Sequence, residues 1–413
     1  MERVFISILA VIMAGFATPL FLDLGLCLLG NFFAARKPAP GRLRTIRLAA
    51  VVPAHNEVAM VASTVRSLRE ASADIDIVVV AHNCSDATAQ AARQAGAQVV
   101  ELNNHKLRGK GAALRCGFDA AVQHGANAFI VVDADSLVSA NLIEATRFML
   151  EAGADACQCR YELAPPPPWV NGGRLHPLAR LRALAFRGMN VLRARGRAGL
   201  GLSTGLFGNG FALTAELLNR VPFNANTIAE DVEYHTKLVE KGIPVYWIDA
   251  EYVHACSPVS SAAQATQEAR WEGGRLRVAS RSTRRLLGAV RRGKWSALET
   301  LADVWSLPLS RGILAILLTI FLAVHWLHVF ALVCAAIAVM YVIESAFTGS
   351  EPLRDLAALA GAPVYLIWKA LITPLVLRQS RSRAEWARTK RETAHPASEA
   401  PSNQAELRSG EIR

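Results

Sequence analysis

Two aspartates one residue apart, Asp133 and Asp135, close the apolar run Ala128–Val132. Carboxylates spaced this way on a chain leaving a strand can both reach one Mg2+ or Mn2+, which can bridge the phosphate oxygens of a nucleotide sugar. A solvated turn after a strand is the bland alternative, and the spacing alone leaves both open. A second acidic pair, Glu230-Asp231, precedes the helical stretch Val232–Lys241. Carboxylates at a helix start can cap it; equally, Asp231 can act as a general base that takes the proton of an attacking hydroxyl. The most specific element is Gln267-Glu268-Ala269-Arg270-Trp271. On a helix Gln267, Arg270 and Trp271 stand at i, i+3 and i+4, so an amide, a guanidinium and an indole share one face. Such a face can hold a pyrophosphate and stack on a sugar ring. An interfacial Trp beside an Arg is its structural alternative.

These groups act only if a fold brings them together. Ile46–Val52 is a short β-rich run ending at Pro53, Asn56–Ala71 reads as a helix, and Ile75–Ala81 is a second apolar run. That order is a βαβ unit, hence a parallel pair with a right-handed crossover. The theme repeats with a helix over Ala87–Ala95, a strand over Gln98–Leu102, a helix over Gly111–His124 and a buried strand over Ala128–Val132. The pattern predicts an α/β domain with a doubly wound nucleotide-binding sheet. Ligands of such sheets sit beyond the carboxyl ends of the strands. Polar clusters occupy those ends at Ala54–Glu57, His82–Asp86 and Asp133–Ser136.

Of the 413 residues 52% are hydrophobic, which is high for a soluble protein. Val4–Phe33 carries one charge, Asp23, and exceeds the roughly 20 residues that span a bilayer. The basic residues Arg36, Lys37, Arg42, Arg44 and Arg47 follow rather than precede it, which predicts a retained anchor instead of a cleaved signal. The positive-inside rule then puts residue 36 onward in the cytoplasm. Leu307–Phe347 is long enough for a hairpin of two helices, with His325, Trp326 and His328 at an interfacial turn. Leu356–Leu377 is apolar yet holds Lys369 and two prolines, and Arg378, Arg381, Arg383, Arg388, Lys390 and Arg391 follow it. It is expected to lie in the interface or to re-enter.

The net charge of +11 asks for a partner. Its placement argues against nucleic acid. Eight basic residues and no acidic ones fall in Arg275–Lys294, directly ahead of the hairpin, where anionic headgroups would attract them. Arg174–Arg197 sets Leu178, Leu181, Leu184, Gly188 and Val191 near helical spacing, with arginines at 180, 182, 187, 193, 195 and 197. It is expected to lie amphipathically on the membrane, a solvated basic helix being the alternative. Seven scattered cysteines without a CxxC pair imply neither disulfide nor zinc.

Taken in order, VVPAHNE (51–57), HNCSDAT (82–88), RGKGAAL (108–114), DAD (133–135), GNGFALT (208–214), AED (229–231), QEARW (267–271) and WARTKR (386–391) resemble the family-2 glycosyltransferases. More narrowly, the set is similar to the membrane-bound branch of cellulose, hyaluronan and poly-N-acetylglucosamine synthases, over about residues 48 to 391. The resemblance implies a GT-A type nucleotide-sugar-binding sheet with flanking transmembrane and interfacial helices. It also implies metal-dependent hexosyl transfer with inversion at the anomeric carbon. Carried over residue by residue, Asp133 and Asp135 hold Mg2+ or Mn2+ on the donor diphosphate, and Asp231, with Glu230 beside it, is the base. Glu57, Asn83 and Asp86 line the uridine pocket, with Lys110 in the loop next to it. Gln267, Arg270 and Trp271 close over diphosphate and acceptor, and Asn209 and Gly210 border the acceptor. The family often has two adjacent aspartates where this chain has His82-Asn83. The contact to uracil there falls to Asn83, whose amide both donates and accepts. His254, in YVHACSP, is a candidate extra metal ligand.

The expected layout is an N-terminal transmembrane anchor over 1–35, a cytoplasmic GT-A domain over 46–273 and a basic interfacial segment over 274–306. A transmembrane hairpin over 307–347, a membrane or interfacial helix with a basic motif over 355–391 and a disordered tail over 392–413 follow. The implied partners are a UDP-sugar donor, a glycan or lipid-linked acceptor, the lipid bilayer, and a second copy or export proteins, with no nucleic acid. The implied location is a bacterial inner (cytoplasmic) membrane, crossed more than once. Exopolysaccharide or cell-envelope glycan synthesis is the leading expectation, and single addition to a ceramide-like or polyprenyl-linked lipid is the alternative. An inactive scaffold subunit of an export complex is the alternative of another class; it would have no need of Asp133, Asp135, Asp231 and QEARW together.

Overall fold

The structure is a computed structural model that describes residues 2–39, 44–107, 109–164, 176–225, 227–256, 261–322 and 325–381. After α1 (Glu2–Gly30) come β1 (Leu48–Ala54), α2 (Val61–Ala71), β2 (Asp76–His82), α3 (Thr88–Gln94), β3 (Gln98–Leu102), α4 (Lys110–Gln123) and β4 (Ala128–Val131), the predicted alternation. β1 pairs in parallel with β2 and with β4, and β2 with β3. The chain therefore winds in opposite directions on the two sides of β1, which opens a crevice at the carboxyl ends of β1 and β4.

The second half departs from a doubly wound sheet. It comprises β5 (Ser136–Val138), α5 (Leu142–Glu151), β6 (Ala156–Ala164), then α6 (Pro177–Arg187), a π turn (Gly188–Leu192) and α7 (Arg193–Gly199). β7 (Phe211–Thr214), α8 (Ala215–Arg220), α9 (Glu230–Lys241) and β8 (Tyr246–Cys256) complete it. β7 runs antiparallel to β4 and β6, β8 parallel to β6, and β5 antiparallel to β8. The result is a mixed eight-stranded sheet of GT-A type in the order β3-β2-β1-β4-β7-β6-β8-β5. Side chains alternate across it: Ala50, Val52, Val79 and Ile130 pack against α2 and α5, and Val51, Val78 and Val80 against α4 and its neighbours. Each fully buried aliphatic chain of this size contributes roughly 1.5–3 kcal/mol, enough to fix which face each strand presents.

The basic stretch in α6, the π turn and α7 does not lie on a membrane surface as an amphipathic helix. Each of its six arginines from 180 to 197 meets a carboxylate: Arg180 meets Glu351 and Asp355, Arg182 Glu268, Arg187 Asp355, Arg193 Asp23 and Asp303, Arg195 Asp249, and Arg197 Glu299. Arg182, Arg193 and Arg197 are buried. An isolated buried charge costs several kcal/mol, so these guanidinium groups require partners inside the protein. Asp23, the one charge of the first apolar segment, is such a partner, which accounts for its place in an otherwise apolar helix. α1 and α7 cross backbone to backbone. A Cβ on Gly30 would stand 2.0 Å from the Gly196 carbonyl oxygen, and one on Gly196 2.1 Å from that of Cys27.

The C-terminal part holds α10 (Ser261–Arg291), α11 (Ser296–Trp305), α12 (Leu309–Leu322), α13 (His325–Phe347), α14 (Pro352–Ala357), α15 (Ala362–Leu371) and α16 (Thr373–Ser380). α10 runs unbroken through the boundary expected at 273/274. Among the described residues two segments, Ile8–Gly30 and Leu327–Phe347, are long and apolar enough to cross a membrane. The pairs Ser296–Trp305 with Leu309–Phe321, bent by 76°, and Pro352–Leu371 with Thr373–Ser380, bent by 40°, meet that test only as pairs. Of the hairpin expected over 307–347, α13 thus qualifies alone, whereas α12, with 14 residues, does not. α1, α12 and α13 share one apolar cluster built on Leu20, Phe21, Leu24, Ile316 and Tyr341. Arg42, the side chains of His325 and Trp326, the WARTKR motif and the tail over 392–413 lie outside the described residues.

Candidate active site

The carboxyl ends of β1 and β4 open on a cavity of about 820 Å³. Its wall gathers Glu57, Lys110, Asp133, Asp135, Glu230, Asp231, Gln267, Arg270 and Trp271 from five separate stretches of chain. The expected site residues Asn83, Asp86, Asn209 and Gly210 are not on that wall. Each has a different place.

Asn209 is fully buried, and its amide spans the aspartate turn. Its Oδ1 accepts from the backbone N–H of Asp133 at 3.1 Å, and its Nδ2 donates to Ser136 Oγ at 2.9 Å. The Thr64 hydroxyl donates to the Ala134 carbonyl at 2.9 Å. The two carboxylates therefore leave a turn held from both sides. Gln158 holds Asn209 in its turn: Nε2 donates to the Asn209 carbonyl at 2.7 Å and Oε1 accepts from Phe207 N–H at 3.0 Å. Gly210 has φ +69°, and a Cβ there would meet Cys159 Sγ at 2.4 Å, so it serves close packing. The Asn83 amide accepts from Asn104 N–H at 2.8 Å and donates to the Asn104 carbonyl at 3.2 Å, which ties the end of β2 to the loop after β3. Asp86 accepts from Thr88 N–H at 3.0 Å, at the start of α3. His254, weighed as a metal ligand, stacks on Tyr252 with ring centroids 4.2 Å apart and pairs in register with Glu162.

Lys110 is the electrostatic centre of the cavity. Its ammonium donates to Asp133 Oδ1 and, at 2.5 Å, to the Gly208 carbonyl, and it stands 4.0 Å from Glu230. Burial works against the ammonium, but Asp133 and Glu230 outweigh it and hold the Lys110 pKa above the ordinary lysine value. Glu230 and Asp231 open α9, whose N-cap position belongs to Ala229, so neither carboxylate occupies it. Asp231 Oδ1 accepts from Val232 N–H at 2.8 Å. Burial pushes both carboxyls above the usual carboxylate range. The negative charge of Asp231 adds to this at Glu230, while the Val232 N–H and the Lys110 ammonium oppose it at Asp231. Gly208 sits at φ +78°, and a Cβ there would come within 3.0 Å of Asp231 Oδ2. A side chain at 208 would press on that carboxylate.

The QEARW segment lies within α10, as its spacing requires. Arg182, on α6, donates to Gln267 Oε1 and, at 2.9 Å, to Glu268 Oε1, and its guanidinium lies 5.7 Å from the centroid of the Trp271 ring. That distance permits a cation–π contact. Phe186 packs beside Trp271 at 5.6 Å, and Tyr161 meets Phe186 edge-on at 4.9 Å. Sequence reasoning missed Arg182, Phe186 and Tyr161, because a basic, leucine-containing helix carries the same periodicity whichever way its arginines turn. Glu268 was within reach, since it sits inside the motif itself.

The donor chemistry at the aspartate turn fits a hard divalent cation. Asp133 and Asp135 both face the cavity, and the first already binds an ammonium. Among the described residues no group of three or more His, Cys, Asp and Glu gathers to hold a metal. An ion here would complete its shell with water and phosphate oxygens, which Mg2+ and Mn2+ accept.

Three solved structures similar to this chain are sugar-transferring proteins. A mannosyltransferase from Pyrobaculum calidifontis, in complex with GDP-Man and Mn2+, is 18% identical at TM-score 0.49, over 86% of this chain and 99% of its own. Glucosyl-3-phosphoglycerate synthase from Mycobacterium tuberculosis, in complex with Mn2+, UDP and glucosyl-3-phosphoglycerate, is 19% identical at TM-score 0.37, over 55% of this chain and 78% of its own. Mannosyl-3-phosphoglycerate synthase from Rubrobacter xylanophilus is 21% identical at TM-score 0.36, over 60% and 74%. A comparison with curated proteins finds no match. The family model described as glycosyltransferase like family 2 matches residues 46–274, a span that takes in more than half of the sequence. The chain belongs to that family.

Proposed function

We propose that the chain is an inverting, metal-dependent hexosyltransferase that moves a sugar from a nucleotide-diphosphate donor, a UDP-sugar in the leading reading, to an acceptor hydroxyl at a bacterial cytoplasmic membrane. The observation that carries this reading is the meeting of the two acid pairs, Asp133/Asp135 and Glu230/Asp231, on one cavity wall around Lys110. Glu57, at the end of β1, faces the nucleoside side. Asp133 and Asp135 would hold a divalent cation, which would supply positive charge to the leaving diphosphate. Lys110 adds a fixed positive charge beside it. Arg270 and Gln267 bind the diphosphate from α10, and Trp271 offers its ring to a sugar.

Asp231 takes the proton of the acceptor hydroxyl. The freed oxygen lone pair bonds to the anomeric carbon from the face opposite the diphosphate, the carbon–oxygen bond to phosphate breaks, and its electron pair leaves with the nucleoside diphosphate. One displacement inverts the centre. A base whose carboxyl is raised by burial above the ordinary aspartate value holds an accepted proton better than an ordinary aspartate does. The buried, low-dielectric setting also strengthens each charge that meets the developing negative charge of the leaving group.

The test is release of nucleoside diphosphate by the purified full chain in detergent with Mn2+ or Mg2+, across a panel of nucleotide sugars and a membrane lipid extract. Release confined to one sugar and lost in Asp231→Asn is the expected result. Unaltered release by that variant would remove Asp231 from the mechanism.

A further inference from the structure

The cavity does not end at the sugar-transfer groups. Beyond Trp271 and Phe186 its wall continues over Leu309 and Ile313 of α12, Val342 and Ser345 of α13, and Ala362 and Leu366 of α15. α12 touches α13 and α15, and α6 touches α13 and α15, so four helices close a ring around this second arm. α13 holds Leu327–Phe347, a segment long and apolar enough to cross a membrane. The total volume of about 820 Å³ lies toward the upper end of the range for small-molecule pockets, roughly 300–1,000 Å³. One arm is polar and carries carboxylates. The other is mostly apolar and lies among the apolar helices, with Tyr341, Ser345, Tyr365 and Lys369 also on its wall.

A soluble glycan would gain nothing from an aliphatic arm, whereas an amphiphile fills both. Four cations of this wall are already matched, while Arg277 beside them keeps an unpartnered Nε. Arg182 bonds to Gln267 and Glu268, and Lys369 donates to Glu268 at 2.7 Å and to Glu272 at 2.5 Å. Arg193 and Arg275, also on the wall, pair with Asp303. These cations are spent on protein carboxylates, so the junction is poorly suited to a lipid phosphate. The base points the same way. An alcohol must lose a proton to attack, and Asp231 can take it, whereas a phosphate is already an anion and needs no base.

We infer that the acceptor is a neutral long-chain lipid alcohol whose hydroxyl reaches Asp231 while its hydrocarbon chain occupies the arm between α6, α12, α13 and α15. This rests on the sugar-transfer reading above and deepens it. The product is a glycolipid in which the acceptor oxygen is bonded to the inverted anomeric carbon, its proton is on Asp231, and the nucleoside diphosphate is released. Helices that would wall a polymer channel in a processive enzyme here wall a lipid pocket.

The experiment supplies the full chain in detergent with the donor it binds and, separately, dioleoylglycerol, 1-hexadecanol, a polyprenyl phosphate or maltotriose, and extracts radiolabelled sugar into organic solvent. Transfer to either alcohol, as a product stable to the mild acid that cleaves a sugar phosphate, is the expected result. Absence of product with both alcohols overturns the inference, whatever the other acceptors do. Absence of nucleotide-sugar binding by the wild type overturns the sugar-transfer reading instead. Val342→Trp and Leu366→Trp fill the aliphatic arm and are expected to lower transfer to the alcohol by about tenfold or more, from the cost of overpacking a formed pocket. Nucleotide-sugar affinity is expected to stay at the wild-type value, and it reports that each variant is folded. Full transfer by both folded variants would also overturn the inference.

Discussion

Lys369, near the end of α15, donates to the Glu268 carboxylate at 2.7 Å, inside the QEARW segment of α10. A charge that looked out of place in an apolar stretch is thereby the tie between the C-terminal helices and the motif helix. Arg182 completes it from α6, so Glu268 answers two cations. Burial alone would raise its carboxyl pKa; Lys369 and Arg182 outweigh burial and hold it below the ordinary value.

Lys369→Met leaves buried Glu268 and partly buried Glu272 with one cation fewer. Breaking a buried pair from one side costs roughly 3–5 kcal/mol, more than removing both partners together. Thermal unfolding in detergent is expected at a clearly lower temperature, with reduced transfer at a temperature where the variant is folded. An unchanged midpoint would show that the pair contributes nothing to holding α10 against α15.

Asp231→Asn keeps the size of the side chain and its bond from Val232 N–H but removes the proposed base. Transfer is expected to fall by a factor on the order of 10² to 10⁴, the usual contribution of a positioned general base. Nucleotide-sugar affinity, measured by calorimetry, is expected to hold, because Asp133, Asp135 and Lys110 are untouched. A loss of affinity as large as the loss of rate would reassign Asp231 to binding.

Asp133→Ala removes the carboxylate that meets Lys110 and is proposed to face the diphosphate. The expected outcome is weaker nucleotide-sugar binding together with loss of the gain in affinity that Mn2+ gives the wild type. If chelation with EDTA leaves wild-type turnover unchanged, the divalent-cation reading of Asp133 and Asp135 is wrong.

The parallel half of the sheet was legible because β1 to β4 alternate with helices in short, local units, each with its own apolar period. The strands from β5 to β8 were not. β6 lies between β7 and β8, and β5 pairs with β8 across more than a hundred residues, contacts that no local pattern reports. The same limit acted on side chains. Asp133, Asp231 and the QEARW face stood out by residue type, since carboxylates at strand ends and an amide, a guanidinium and an indole on one helix face are chemically distinctive. Arg182 did not, because its partners Gln267 and Glu268 lie far along the chain. Asn209 was expected to border the acceptor, but type and position cannot tell an amide that faces a ligand from one that clasps a turn.

Lys110 lowers the pH at which Asp231 ionises, against the larger effect of burial. Burial raises the Asp231 and Glu230 carboxyls, and the Lys110 ammonium opposes that rise at both. Asp231 must be ionised to accept a proton, so activity falls as pH drops through its raised pKa. Lys110→Met removes the opposing charge, raises both carboxyls further and is expected to move the acid limb of the rate profile to higher pH. Lys110→Arg keeps the charge and is expected to leave the limb near its wild-type place. A limb that stays fixed in the methionine variant would show that another group controls it.

His235, on α9, is buried with Nε2 at 2.8 Å from Ser203 Oγ. Burial, reinforced by Arg197 and Arg193 and opposed by Asp303, pushes its pKa down from 6.5 to about 3. The folded protein therefore keeps this ring neutral over a range where the unfolded chain protonates it. Uptake of that proton favours unfolding, so stability is fully present above pH 6.5 and is lost as pH falls toward 3. Each unit across that window costs about 1.4 kcal/mol. His235→Gln retains a polar partner for Ser203 without a titrating ring and is expected to flatten this part of the stability profile between pH 6.5 and 5. Equal slopes for the two proteins in that window would mean that His235 is protonated in the folded state, and that the arginines beside it are screened by Asp303 and Glu299 more completely than their burial implies.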